Sequence, residues 1–539
     1  MMIKMMMMMM IIKRHVIKVE ASNQLTSTQI SPLLRISNTK TSHGNQTSLC
    51  IMGAFCFVTI ITFYNWLIIR KKRTQYPQYP LPPGPKGWPI IGCIPEMIKN
   101  KPSISRWIHK LMQEFNTEIA CIPLGNTNVI PLTSPELARE FLKKQDVIFA
   151  SRPDCMSARR VSDGYLITIL SPVGDQWKKM RRIITSERCH EEADLLVNYV
   201  YNQCQNLVIT NGLVNVRVAA RHYYGSVVRR IVFGKRFFGI GMEDGGPGRE
   251  EEEHMDGLFT TIFHLYAFAI ADFVPWLEVF DLDGYKKIIK NAIKSMRKCQ
   301  DPEIDNRVEM WKQGIRKTEE DILDVVINIK ESKNNPLLSI QELNAQITWA
   351  LAEMINQPHI LDKAYKELDK VVCRDRVVDE SDLSKLNYLK AFRMHPINPF
   401  NASHVSVKDT VVGGYFIPKG SHVLPSRIGL GQKPRTWEDP LKYKPERHII
   451  NESTKVMLVV HELNMFSFST GRRGCPAIML GSTIVTMLFA RLIQGFNWTA
   501  PPNGWSIDLN QSEGDAPLAK PLIAHASPRL ETHVYANLL

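Results

Sequence analysis

Cys475 stands in the stretch FSFSTGRRGCPAIMLG, Phe466 to Gly481, one residue before a proline that opens an apolar helix predicted from Pro476 to Gln494. Proline is free of cost at the first helical position, because its missing N–H would have had no intrahelical partner. A sulfur at that end meets unpaired N–H groups and the positive end of the helix dipole, which favour thiolate over thiol. Phe468, Gly471 and Arg473 precede it and supply an aromatic to pack, a glycine for a tight turn and a cation for an anionic group. A metal-bound thiolate with no second protein ligand nearby suits a metal whose other positions a macrocycle fills, and haem iron is the obvious candidate. A free cysteine is otherwise usually a small buried hydrophobe. It is the four spaced residues together that favour the ligand reading, with Cys475 on the metal.

A second spaced pair, Trp177 and Arg181 in GDQWKKMRR, is separated by four residues and so shares one helix face. Both side chains could reach a haem propionate; the alternative is an ordinary basic amphipathic helix. The ten cysteines (Cys50, Cys56, Cys93, Cys121, Cys155, Cys189, Cys204, Cys299, Cys373 and Cys475) form no C-x-x-C pair and no Cys/His cluster at zinc spacing. That scatter argues for a reducing compartment and against a disulfide framework. The net charge of +14 is concentrated at one end: residues 1–73 hold ten Lys/Arg against one Glu, a net of +9, which leaves +5 for the remainder of 539 residues. A body so mildly basic, without an arginine-rich helix, argues against a nucleic-acid partner.

The elements that must position these groups begin with an address. Residues 1–48 are a low-complexity, basic, Met-rich tail. Leu49 to Ile69, LCIMGAFCFVTIITFYNWLII, carries no charge and is long enough to cross a bilayer core of about 30 Å. Arg70-Lys71-Lys72-Arg73 follows, so the positive-inside rule predicts a single-pass membrane helix with the body on the cytosolic side. A secretory signal peptide would be shorter, begin earlier and meet a small-residue cleavage site. Residues 70–94 read as a basic, proline-rich linker, with Pro82, Pro83, Pro85 and Pro89 imposing an extended, stiff chain.

The body, 95–539, is mainly helical with small sheets. Apolar residues recur at three- and four-residue spacing in Ile104–Phe115, Pro135–Lys144, Glu192–Leu207 and Ser339–Ile355. Strands are expected at Ala120–Pro123, Asn128–Thr133 and Thr410–Ile417. Gly241 to Gly248 with Glu250 to Glu253 reads as a solvated, charged loop.

The cysteine loop resembles that of the cytochrome P450 monooxygenases. SFSTGRRGCPAIMLG, WALAEMINQP, LNYLKAFRMHPINPFN and HVSVKDTVVGGYFIPKGSHVLPSRIGLG are similar to one branch of that family, the plant amino-acid N-monooxygenases. The resemblance runs from about Leu81 nearly to the C-terminus. It implies the haem-thiolate fold behind an N-terminal transmembrane anchor in the endoplasmic reticulum membrane. It also implies haem b (iron protoporphyrin IX) on Cys475, and electrons from NADPH through a partner NADPH-cytochrome P450 reductase. The implied reaction uses O2 to N-hydroxylate an L-amino acid twice. Loss of water and carbon dioxide then leaves an aldoxime for defence metabolites of the cyanogenic glucoside or glucosinolate type. By the same resemblance Trp177 and Arg181 are the W-x-x-x-R pair at the propionates. Arg447 of Pro445-Glu446-Arg447 and Arg393 join a structural ion network, and Phe400 and Asn401 lie where substrate is contacted. Aromatic and branched amino acids both stay open as substrates, with phenylalanine or tyrosine preferred.

The chain departs from that pattern twice. Asn344-Ala345-Gln346-Ile347-Thr348 runs straight into Trp349, so the middle of the helix that crosses the haem face in the family is absent near 348/349. Near 390/391, Lys390 stands where the family's E-x-x-R motif has its glutamate, three residues before Arg393. Two readings follow: an active amino-acid N-monooxygenase, or a catalytically impaired, membrane-anchored relative that binds haem or acts through partners.

Overall fold

In a computed structural model the described residues are 79–161, 190–206, 210–318, 341–390, 398–449, 469–475, 478–502, 506–510 and 518–538, with 320, 321, 323, 324 and 327. The chain divides into two units, Met1–Gln75 and Tyr76–Leu539, and every described residue belongs to the second. The expected span Leu49–Ile69 therefore lies outside them. Among the described residues no helix is long and apolar enough to cross a membrane.

The long helices are α1 (Ile104–Glu114), α2 (His190–Gln205), α3 (Val216–Phe233), α4 (Arg249–Phe263), α5 (Tyr285–Lys312), α6 (Gln341–Asn356), α7 (Pro358–Val371) and α8 (Ile478–Gly495). Local chemistry sets several of their ends. Asn215 caps α3 by accepting from the Val218 N–H at 3.2 Å, and Gly234, at φ +68°, ends it in the left-handed conformation. α7 opens on Pro358, where the lost N–H costs nothing.

Four short strands form a mixed sheet in the order β1 (Ile122–Leu124), β2 (Thr127–Leu132), β7 (His422–Pro425), β4 (His404–Val405), with β2 and β7 parallel and the other pairs antiparallel. β5 (Thr410–Val412) and β6 (Tyr415–Ile417) make a hairpin, and β3 (Leu213–Asn215), β9 (Ile523–Pro528) and β8 (Phe496–Thr499) a third sheet. The main core lies among α2, α3, α6, α7 and α8 with β8 and β9. A smaller core joins α1 to β1, β2 and the segment around Ile270–Val274.

Three expectations are revised. Thr410–Ile417 is two strands, because Gly413 and Gly414 both take positive φ (+57° and +81°) and reverse the chain in a two-residue turn. Glu250 to Glu253 belong to α4, and Glu250, Glu251 and Glu252 lie in its first turn, where carboxylates suit the helix dipole. Glu251 is fully buried, and one carboxylate oxygen accepts from the N–H groups of Phe238 (2.7 Å) and Gly239 (3.0 Å). The proline-rich linker is laid on the body well before residue 95: the Pro80 carbonyl accepts from the Phe416 N–H and the Pro83 carbonyl from the Cys121 N–H. Gly84 lies so close to the Cys121 carbonyl that a Cβ would overlap it.

Candidate functional site

The turn before α8 is built around positive φ at Ser469 (+61°) and Gly471 (+69°). A Cβ on Gly471 would run into the Leu142 carbonyl oxygen, so the glycine serves both the turn and the close approach of two backbones. Gly471–Arg473 form a single 3₁₀ turn packed on the segment Glu140–Phe149. Arg473 is buried and its Nε donates to the Ala150 carbonyl at 2.5 Å, while Arg472 pairs with Asp146 at 3.0 Å. The turn is thus clamped on both sides, and it delivers Cys475 half-buried, three residues before α8 begins.

A second set of contacts locks the turn to β4. Asn401 is buried; its Nδ2 donates to the Ser469 hydroxyl at 3.0 Å and reaches His404 Nε2 at 3.3 Å, and its Oδ1 accepts from Arg427 at 3.3 Å. His404 Nδ1 lies 2.8 Å from the Phe149 carbonyl, which places the proton on Nδ1 and leaves Nε2 as the acceptor for Asn401. Burial, and then the charge of Arg152, hold the His404 pKa well below the ordinary range, so the ring is neutral. Arg152 is buried as well, and its Nη1 donates to the carbonyls of Ala402 (2.7 Å) and Ser403 (2.9 Å).

This donor set fits haem. One sulfur at the head of α8 suits iron, and the two buried guanidinium groups of Arg473 and Arg152 bring positive charge suited to a cofactor's carboxylates. Cys475, Gly471 and Arg473 lie together in this turn. Trp177, Arg181, Phe468 and Arg393 lie outside the described residues. Asn401 is part of the network that fixes the cysteine turn. Phe400 is buried in the α1 core, its ring stacked on His109 at 5.2 Å and 2°. His404 and Arg152 were missed by sequence reasoning: each is held by a backbone carbonyl more than 200 positions away.

The two departures have local structure. α6 runs unbroken through Thr348 and Trp349, spanning about 24 Å at 1.5 Å per residue. Thr348 is buried, and Trp349 to Ile355 enter the main core, with α6 against α3, α7 and α8. Lys390 closes a 3₁₀ turn, Tyr388–Lys390, whose N–H groups at Tyr388 and Leu389 donate to the Glu367 carboxylate at 2.8 and 3.3 Å. Glu446 accepts from the Tyr388 hydroxyl (3.1 Å) and from Lys363 (2.6 Å). The partners of Arg447 are the carbonyls of Glu438, Asp439, Lys442 and Lys444, so within Pro445-Glu446-Arg447 the glutamate makes the described ion pair and the arginine ties down a loop.

The family model for cytochrome P450 matches residues 82–521. The chain is 48% identical over 525 residues to isoleucine N-monooxygenase 1 of Lotus japonicus, covering 90% of this chain and 98% of that one. It is 51% identical over 488 residues to valine N-monooxygenase 1 of Manihot esculenta (85% and 89%) and 49% identical over 490 residues to phenylalanine N-monooxygenase of Arabidopsis thaliana (84% and 92%). A thiol-bearing turn ahead of a long helix, on a mainly helical body with small sheets, is what a haem-thiolate protein requires. The chain belongs to the cytochrome P450 family of enzymes, in its amino-acid N-monooxygenase branch.

Proposed function

We propose that this chain is a haem-thiolate monooxygenase that converts an L-amino acid to its aldoxime by two N-hydroxylations followed by loss of water and carbon dioxide. The observation that carries this reading is the clamped turn that presents Cys475 beside Arg473 and the Arg152–His404 network. When bound, haem supplies oxygen activation with NADPH-derived electrons from a partner reductase, and thiolate donation favours O–O cleavage. Cys475 would hold the iron. Arg473 and Arg152 would hold the carboxylates, with Trp177 and Arg181 added by resemblance. Asn401 and His404 fix the turn, so the sulfur's position does not depend on the cofactor alone.

Phenylalanine or tyrosine is the preferred substrate, with valine, isoleucine and tryptophan as the alternatives named by relatives of similar identity. The body is placed on the cytosolic face of the endoplasmic reticulum, tethered by Leu49–Ile69, where a membrane reductase can reach it. The second reading, an impaired relative, is favoured by one feature: α6 passes from Thr348 directly into core-packed Trp349.

The carbon-monoxide difference spectrum of the reduced, membrane-expressed protein tests both readings. A strongly red-shifted Soret band, lost in Cys475→Ala, is expected, followed by oxime from one of the five amino acids. Well-expressed protein without that band would end the enzyme reading; the band without oxime would select the impaired relative.

A further inference from the structure

A cavity of about 20 Å³ lies between the loop after α4 and the mixed sheet, bounded by Tyr266, Asp272 and His422 and by the apolar side chains of Phe268, Phe273 and Leu424. Its polar lining is unusual in having capacity to spare. The Tyr266 hydroxyl is buried and, among the described residues, has no hydrogen-bond partner. A buried donor without a partner is normally avoided, so it marks a place where a ligand group completes the bonding. The His422 ring has a contact with Phe273 but no hydrogen bond among the described residues, and burial lowers its pKa to about 4, so the ring is a neutral donor and acceptor. Asp272 accepts from the Met156 N–H at 2.7 Å and from the Cys155 thiol. Burial, with Asp283 and Asp154 adding to it, raises its pKa to about 7, a penalty that a cation placed against the carboxylate would remove.

Charges of both signs act at the cavity. Asp272 supplies a carboxylate in its lining. Beyond Tyr266 the buried Arg152 guanidinium is close enough to act on the phenol's ionisation, and it donates to the carbonyl of Ser403, itself a lining residue. An apolar wall joined to a carboxylate and to a phenol backed by a guanidinium offers the groups that the head of an amino acid and the start of its side chain would meet. We propose that this cavity takes the polar head of the α-amino acid substrate, its ammonium against Asp272 and His422 and its carboxylate against the Tyr266 hydroxyl. The assignment rests on the amino-acid reading above and adds to it the residues that recognise the zwitterion.

As it stands the cavity has room for one water-sized group. Phe268, in its wall, is a non-glycine residue at φ +56°, in the loop between α4 and the short helix Ile270–Phe273. That conformation is strained, which lowers the cost of moving Phe268 when the amino acid enters.

The test is equilibrium dialysis of the full chain in lipid nanodiscs against radiolabelled L-phenylalanine, L-tyrosine, L-valine, L-isoleucine and L-tryptophan. The tightest binder is then compared with its decarboxylated amine and its deaminated acid. Tyr266→Phe removes one unpartnered oxygen, and Asp272→Asn keeps an acceptor for Met156, so both are mild for the fold. Tyr266→Phe is expected to weaken the amino acid and the deaminated acid about tenfold and leave the amine unchanged; Asp272→Asn is expected to weaken the amino acid and the amine about tenfold and leave the acid unchanged. Amino-acid binding by the wild type that neither variant alters would overturn the site alone. A wild type that binds none of the five would overturn the site together with the function it rests on.

Discussion

The turn carrying Cys475 and the stretch from Thr348 to Lys390 belong to the same chain, and they are held by different means. The first is fixed by short-range geometry that few residues satisfy: Gly471 at positive φ against the Leu142 carbonyl, Arg473 on Ala150, Asn401 on Ser469. The second is held by bulk packing of Trp349 to Ile355 and by carboxylates at Glu367 and Glu446 that catch the chain just before Lys390. Packing tolerates changed sequence as long as core volume and apolar patterning are kept. Hydrogen-bonded turns do not. The two departures from the family pattern read in the sequence fall in the region held by packing, and the cysteine turn has kept its pattern.

The sharpest way to break this contrast is Gly471→Ala. Left-handed φ alone costs about 1–2 kcal/mol for a residue with a Cβ, and the clash with Leu142 adds to it. We expect haem content per milligram, read from the carbon-monoxide spectrum, to fall by most of its value. Wild-type content would mean that the turn is softer than its contacts imply.

Lys390→Glu probes the other region. A lost partner of a buried ion pair costs about 3–5 kcal/mol, so restoring the carboxylate of the E-x-x-R pattern is expected to recover part of that and raise Tm by several degrees. An unchanged Tm would show that Glu367 and Glu446 already do the work of the missing glutamate.

Acid should separate the regions as well. The His404 pKa is depressed in the folded chain, so the unfolded chain takes up a proton below the ordinary histidine value of about 6.5 while the folded one stays neutral. Stability held above that value is lost as pH falls below it, and thermal unfolding followed from about pH 7 to 5 should show Tm dropping. His404→Gln should flatten part of that slope; an unaltered slope would assign the effect to His222, His254 and His422, whose pKa values are also depressed. The smallest effect is expected from Glu367→Gln, which weakens two bonds to the N–H groups of Tyr388 and Leu389. A loss of about 1 kcal/mol in denaturant unfolding is anticipated, and a much larger loss would make Glu367 the main anchor of this segment.

Local sequence revealed what local geometry decides. Phe468, Gly471, Arg473 and Cys475 fall within eight residues, so their spacing alone suggested a ligand turn. The helices at Ile104 and His190 followed from apolar periodicity. Arg152, His404 and the burial of Glu251 depend on partners that only the folded chain brings near, and single polar residues announce no such role. The Gly413-Gly414 turn was different: a two-glycine hairpin signal stood in the sequence within what reads at first as one strand.

The continuity of α6 across Thr348 and Trp349 has a rotational meaning. Each residue inserted into or removed from an α-helix turns everything on one side of the change by about 100° relative to the other. With Trp349 to Ile355 locked into the core, that rotation falls on Asn344 to Thr348. Only insertions near whole numbers of turns, about 7, 11 or 18 residues, would return those five positions to the face they now occupy. Coding sequence restored at this point would therefore act as a screw as well as a spacer. The length of any such insert, read from a transcript, would indicate which helix face the ancestral protein turned toward its cofactor.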